Sequence, residues 1–256
     1  MKREKSTKTK IGYWILYFAL PVAILTIWQL ADMYGMIKPY SMPSLRAIVN
    51  VTVDYFRNGK LLENITVSFI RVIEGFAVAL GTGLLLGVLV SIFPKLEVLF
   101  DLLIQIVRPI PPIAWIPLAV LWFGIGQESK IFIIFLGAFF PIFVNTVDGI
   151  QSINPGYFEL SAVYEVSKKE LVTKVVVPGA LPQIMTGIRL GIGNAWVCVV
   201  AAEMIGAVSG VGFMLADGRS LSRPDVVVLG MLIVGIVGKL MDDLLKVVRS
   251  KSIRWQ

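Results

Sequence analysis

Residues 154–182 read NPGYFELSAVYEVSKKELVTKVVVPGALP, the one long polar segment between hydrophobic runs that is built as a folded unit. Asn154 suits a helix N-cap, and Pro155 suits the first helical position, where a missing N–H costs nothing. Tyr157, Leu160, Ser161 and Tyr164 recur at helical spacing and give a short helix one contact face. Ser167 followed by Glu170 is a capping box, so a second helix starts there. That helix carries Leu171, Val172 and Val175 to an expected stop at Pro178 and Pro182. Helix, turn and helix between two membrane-crossing runs make a docking surface.

The class follows from composition. The chain has 256 residues, 56% hydrophobic and 16% charged, which marks a polytopic membrane protein. A span needs about 20 apolar residues, so the length admits about six spans and no soluble catalytic domain. The expected fold is all-α. With no His, and one Cys at position 198 inside an apolar run, disulfides are excluded and Cys–His or metal chemistry is disfavoured. The net charge of +7 does not point to nucleic acid, because the basic residues gather at span ends.

The spans are expected near residues 11–37, 66–93, 95–123, 131–147, 184–208 and 225–245. Residues 1–10 and 247–256 are basic tails, and residues 38–63 form an amphipathic outer segment. The division is therefore a tail (1–10), a first span with its outer segment (11–64), a core of five spans (65–246) and a second tail (247–256). Inner segments carry thirteen Lys and Arg residues against seven on outer segments, which places both termini and the 154–178 segment in the cytoplasm.

Within the spans, small residues mark contact stripes: Gly75, Ala79, Gly83, Gly87 and Ser91 on the second, Gly187, Gly191, Ala195, Cys198 and Ala202 on the fifth. Arg71 and Glu74, one turn apart, are placed to pair. Arg189, Trp196 and Glu203 are spaced by seven on the far side of the fifth span, where lipid penalises ionisable groups; they should face a cavity or a partner. In the third span Asp101, Gln105 and Arg108 share a face before Pro109, Pro111 and Pro112 break the helix. Residues 209–224 read as an outer loop, and Lys239, Asp242, Asp243 and Lys246 as a charged ladder on the last span.

Glu159-Leu160-Ser161, with Val175-Val176-Val177-Pro178 further on, resembles the E-A-A-x-x-x-G…I-x-L-P signature of ABC importer permeases. Leu160 and Ser161 replace the two alanines, and Glu165 stands where the family has glycine, able to end the helix in a left-handed turn. RPIPPIAWIPLAVLWFGIG (108–126), FPIFVNTVDGI (140–150) and VVVPGALPQIMTGIRLGIGNAW…AAEMIGAVSGVG (175–212) are similar to the nitrate/sulfonate/taurine branch.

The resemblance implies a prokaryotic inner-membrane subunit working with a second permease copy, ATP-binding subunits and an extracytoplasmic solute-binding protein. Tyr157, Glu159, Leu160, Ser161, Tyr164, Glu165 and Pro178 would then couple to the ATPase. The polar groups at membrane depth are the candidates for the translocation path: Gln105, Arg108, Trp115, Asn145, Arg189, Asn194, Trp196 and Glu203.

ATP would be bound by the partner subunits, leaving this chain without a cofactor. Gly238-Lys239 is no phosphate loop, since Ile233 stands where its first Gly is needed and Leu240 replaces Ser/Thr. The competing class is a self-contained secondary transporter or channel, in which inverted repeats and discontinuous helices are usual. No repeat is visible here.

Overall fold

The computed structural model describes residues 7–252 except 37, 39 and 41. Lys2, Arg3, Lys5 and Arg254 lie outside the described residues. Within them the chain forms helices joined by short turns, and no strand, in the order α1 (Thr7–Met33), α2 (Leu45–Arg57), α3 (Lys60–Ile92), α4 (Pro94–Val107), a 3₁₀ turn (Pro112–Trp115), α5 (Ile116–Phe123) and α6 (Gln127–Gln151). Then come α7 (Pro155–Val163), α8 (Lys168–Leu171), a π segment (Val172–Val176), α9 (Val177–Glu203), α10 (Val211–Ser220) and α11 (Pro224–Ser252).

Five of these helices are long and apolar enough to cross a membrane. The pair α4/α5, bent by 87° at the proline-rich break, makes up to a sixth. Pro109, Pro111 and Pro112 supply no backbone N–H, so the α-helical ladder cannot continue across them. The expected all-α architecture of about six spans is the one observed.

α3, α6 and α9 form the centre. Lipid offers no hydrophobic drive between helices, so close backbone approach and dispersion must hold them. The small-residue stripes provide that approach. A Cβ on Gly75 would fall 2.7 Å from the Ile134 side chain, and one on Gly187 would fall 2.8 Å from the Pro141 carbonyl oxygen. The facing pairs Gly75–Ile134, Gly83–Ile142 and Gly87–Thr146 rise together along both helices, so α3 and α6 run parallel. Gly137 meets Cys198 while Gly149 meets Gln183, so α6 and α9 run antiparallel. Ile134, Ala138, Ile142, Ala195 and Val199 are buried between them.

Two stretches differ from expectation. The helix after the capping box does not stop at Pro178. It passes through the π segment, where the Val177 N–H donates to the Val172 carbonyl five residues back, and continues to Glu203 with Pro182 inside it. The wider turn leaves room for the Pro178 ring, and a membrane helix tolerates the lost bonds through such local adjustment. Residues 209–224, expected as loop, contain α10. Val211, Met214, Leu215 and Gly218 are buried at i, i+3, i+4 and i+7 against α11 and α9.

Candidate functional site

α7 closes the turn between α6 and α9. Asn154 caps it, its Oδ1 accepting from the Gly156 N–H at 2.8 Å, and Pro155 occupies the first turn. At the other end the Val166 N–H donates to the Ser161 carbonyl at 2.9 Å and the Glu165 N–H to the Ala162 carbonyl at 3.2 Å. This is a Schellman turn, and it requires the left-handed backbone that Glu165 adopts at φ 49°. Glutamate thus takes the conformation expected of glycine. Ser167 and Glu170 make the predicted capping box, with the Glu170 N–H donating to Ser167 Oγ at 3.3 Å.

No residue of α7 is buried. Tyr157, Leu160 and Tyr164 leave an aromatic and aliphatic surface open, with Tyr164 76% exposed. Glu159 is exposed and Ser161 half-buried beside them. Tyr157 and Pro178 also line a groove of about 470 Å³ between α7 and the start of α9, together with Ile153, Lys174 and Gly179.

A cavity of about 290 Å³ opens where the third span breaks, lined by Arg108, Asn145 and Asn194 with Leu136, Phe140 and Leu190. Arg108 caps the end of α4 and its N–H donates to the Ile104 carbonyl at 2.9 Å. Its guanidinium forms no ion pair among the described residues. The nearer of the two acids on its own helix, Asp101, instead accepts from Gln105 Nε2 at 2.7 Å. Asn145 comes from α6, one turn beyond Pro141, and its Nδ2 donates to the Pro141 carbonyl at 2.8 Å. Asn194 comes from the face of α9 beside the small stripe. Trp115 packs against Ile116, Ala119 and Ile133 rather than into the cavity.

Arg189, Trp196 and Glu203 lie elsewhere, and their expected exposure to a cavity or partner is corrected for two of the three. Trp196 is buried and its Nε1 donates to the Val234 carbonyl at 2.9 Å. Glu203 is fully enclosed: its Oε1 pairs with Arg71 at 2.7 Å, and its Oε2 accepts from Ser68 Oγ at 2.8 Å and from the Gly212 N–H at 2.9 Å. Arg189 remains half-exposed but holds Asp242 with two bonds of 2.5 and 3.0 Å. The spacing of seven does place the three on one face, but α11 and the entry to α10 cover that face. Intramolecular partners remove the penalty that lipid would impose.

The network also corrects the Arg71–Glu74 pair. Arg71 turns to Glu203, to the Ser209 carbonyl at 2.8 Å and to Gln127 Oε1 at 2.8 Å, while Glu74 accepts from Gln127 Nε2 at 3.2 Å. Glu203 sits at the N-terminus of α10, where free backbone N–H groups favour an anion. Sequence reasoning passed over Ser68 and Gln127. The available signal was Gly210-Val211-Gly212: a Cβ on Gly212 would fall 2.1 Å from the Val200 carbonyl oxygen, so only glycine lets this turn reach the carboxylate.

The last span carries its expected ladder, with Lys239 and Lys246 bound to Asp243 and Lys246 to Asp242 at 2.7 Å.

Residues 79–251 match the family described as "Binding-protein-dependent transport system inner membrane component". The chain is 38% identical, over its whole length and 97% of the relative's, to a protein named putative ABC transporter permease MJ0413 of Methanocaldococcus jannaschii. It is 36% identical to the putative aliphatic sulfonates transport permease SsuC of Bacillus subtilis, over 99% of this chain and 92% of that one. The fold is shared with the inward-facing MetNI methionine ABC transporter at a TM-score of 0.55 and 22% identity, over 76% of this chain and 96% of that one. The chain belongs to the binding-protein-dependent importer family, in its nitrate/sulfonate/taurine branch, and is a multi-pass inner-membrane transport subunit rather than an enzyme.

Proposed function

We propose that this permease forms half of an alternating-access path for a small anionic solute handed over by an extracytoplasmic binding protein. A second permease copy forms the other half, and separate ATP-binding subunits supply the energy. Both termini and α7 face the cytoplasm, as the excess of Lys and Arg on those segments supports. α7 is the coupling helix, and the path runs along the cavity that joins Arg108, Asn145 and Asn194.

The observation that carries this assignment is α7 itself. A nine-residue helix closed by a cap and a Schellman turn, set between two long spans, leaves Tyr157, Leu160 and Tyr164 uncovered. Aromatic anchors on a rigid element are the residues that dominate binding energy at protein interfaces. A groove lined by Tyr157 and Pro178 lies between α7 and the start of α9, and α8 with the π segment joins the two helices along the chain. α9 in turn packs along α6 and carries Asn194 into the cavity.

The break between α4 and α5 supports the alternating-access part. Backbone freed by prolines is tolerated at membrane depth only against protein or a water-filled path. The Arg108 guanidinium at its edge, with no ion pair among the described residues, calls for water or an anionic ligand. The assignment is tested with Glu159→Lys in the assembled importer in proteoliposomes. Glu159 is exposed, so insertion and folding are retained. Uptake should be lost, or hydrolysis released from solute control. Wild-type uptake with wild-type hydrolysis would overturn the coupling role.

A further inference from the structure

Helix α2 has two apolar sides, and the bundle covers one of them. Ile48 and Val51 are buried, with Thr52 and Tyr55 half-buried beside them, where α2 packs on α3 and α11. Val49, Val53 and Phe56 recur at i, i+4 and i+7 and stay open, Val49 and Phe56 each 60% exposed. Arg46 and Arg57 are exposed on the next strip, and neither forms an ion pair among the described residues. We propose that α2 lies in the plane of the membrane surface as a site for anionic phospholipid. Val49, Val53 and Phe56 enter the acyl boundary, and Arg46 and Arg57 hold lipid phosphates.

The order of the strips supports this placement. At about 100° per residue, a circuit of α2 passes from the bundle side to the open apolar strip, then to the two arginines, then to Asn50 and Asp54. A helix lying flat beside a bundle at a membrane surface meets protein, acyl chains, head groups and water in that same order. Amphipathic helices divided in this way rest in the interface with the apolar side inward.

The chain sets the level. α1 and α3 are both spans, so the segment between them leaves and re-enters the membrane at one surface. Trp28, in the last turns of α1, donates its indole N–H to the Pro43 carbonyl at 3.1 Å. Tryptophan near the end of a span marks the membrane–water boundary. The bond therefore holds the entry to α2 at that boundary, next to Ser44, whose Oγ accepts from the Ala47 N–H and caps the helix. At its other end, Asn58 and Gly59 alone separate α2 from α3. With the termini in the cytoplasm, as proposed above, this surface is the outer leaflet.

Charge selects the lipid. A guanidinium binds phosphate through two parallel bonds, and each basic side chain near an anionic surface is worth about fivefold in affinity. At 1.5 Å per residue Arg46 and Arg57 stand about 16 Å apart along the axis, so each takes its own head group. A second copy of the chain fits this strip less well, because a two-fold contact would set the arginines of both copies against each other. The inference rests on α1 and α3 as spans and is independent of the coupling role of α7.

The test uses the permease with its ATP-binding subunits in nanodiscs, with a bimane probe on Val53→Cys or on Asp54→Cys. The native Cys198 is buried and takes no label. Lipid brominated near the head-group end of the acyl chain should quench the Val53 probe and spare the Asp54 probe, which iodide in the water should quench instead. At low salt, brominated phosphatidylglycerol should be preferred over brominated phosphatidylcholine about fivefold at the Val53 probe. The preference should fall to parity in 1 M salt, where charges are screened within about 3 Å. Arg46→Gln with Arg57→Gln should abolish it at low salt. The salt series acts on the unaltered arginines, so it decides the outcome even where that double variant does not fold.

Equal quenching by the two lipids at low salt would overturn the arginine sites. Iodide quenching of the Val53 probe without lipid quenching would leave α2 standing in water and overturn the placement. Loss of that iodide quenching on adding the solute-binding protein would give the strip to that partner instead. Quenching by neither agent would bury the strip against protein, a second copy included, and would equally overturn the inference. None of these results touches the assignment of α7.

Discussion

The Arg71 guanidinium lies 2.7 Å from the Glu203 carboxylate, and the two side chains are 9% and 0% exposed. The pair joins α3 to the end of α9, and its carboxylate also caps the first turn of α10. Removing one partner of such a pair strands the other charge in the interior. Glu203→Leu should cost about 3–5 kcal/mol, because Arg71 and the Gly212 N–H both lose their acceptor. Glu203→Gln, which keeps one acceptor oxygen, should cost less. The thermal midpoint of the purified permease checks this order. A wild-type midpoint for Glu203→Leu would show that the pair does not hold this end of the bundle.

Two glycines on α9 separate packing from helix propensity. A Cβ on Gly187 would lie 2.7 Å from the Asn145 side chain and 2.8 Å from the Pro141 carbonyl, whereas one on Gly193 would meet nothing within 4 Å. Gly187→Ala forces α6 and α9 apart and should cost about 1–3 kcal/mol. Gly193→Ala should be neutral or stabilise by up to about 1 kcal/mol. Both are read from thermal unfolding in the same detergent. Equal effects of the two would contradict the close helix contact.

Glu165 holds a left-handed conformation that costs a residue with a Cβ about 1–2 kcal/mol. Glu165→Gly should relieve that cost and stabilise the turn after α7, with solute uptake retained. Glu165→Val, β-branched at positive φ, should weaken the same turn. Protease sensitivity of the 164–168 segment reports both changes, and a turn loosened by glycine would contradict the Schellman geometry.

Much of this molecule was legible in the sequence, and the exceptions have a common cause. Helix existence, the capping at Asn154 and at Ser167, and the small-residue contacts of α3 and α9 all depend on local spacing, which a sequence displays directly. Arg108, Asn145 and Asn194 were legible as polar groups at membrane depth, although the cavity they share required three separate elements to meet.

What escaped was set by partners distant in the chain. Arg71 chose Glu203, more than a hundred residues away, over Glu74 one turn away, because the enclosed carboxylate at the start of α10 needed a cation. Arg189 found Asp242 on α11 by the same logic. Pro178 signals a helix stop by its local chemistry, but the π segment absorbs it, and nothing in the residues themselves announces a five-residue turn. α10 was hidden by glycines and polar residues, though its Val211, Met214, Leu215 and Gly218 carry a helical period.

The most direct test of the central claim is a photo-activated cross-linker placed at Tyr164, where the side chain is open to solvent, in membranes holding the assembled importer. The same probe at Ser220, at the end of α10 and exposed, serves as the control, since the proposed topology puts it on the opposite side from α7. Capture of the ATP-binding subunit from Tyr164 and not from Ser220 is the predicted result. Capture from Ser220, or none from Tyr164 while the importer remains active, would contradict the assignment of α7 as the coupling helix.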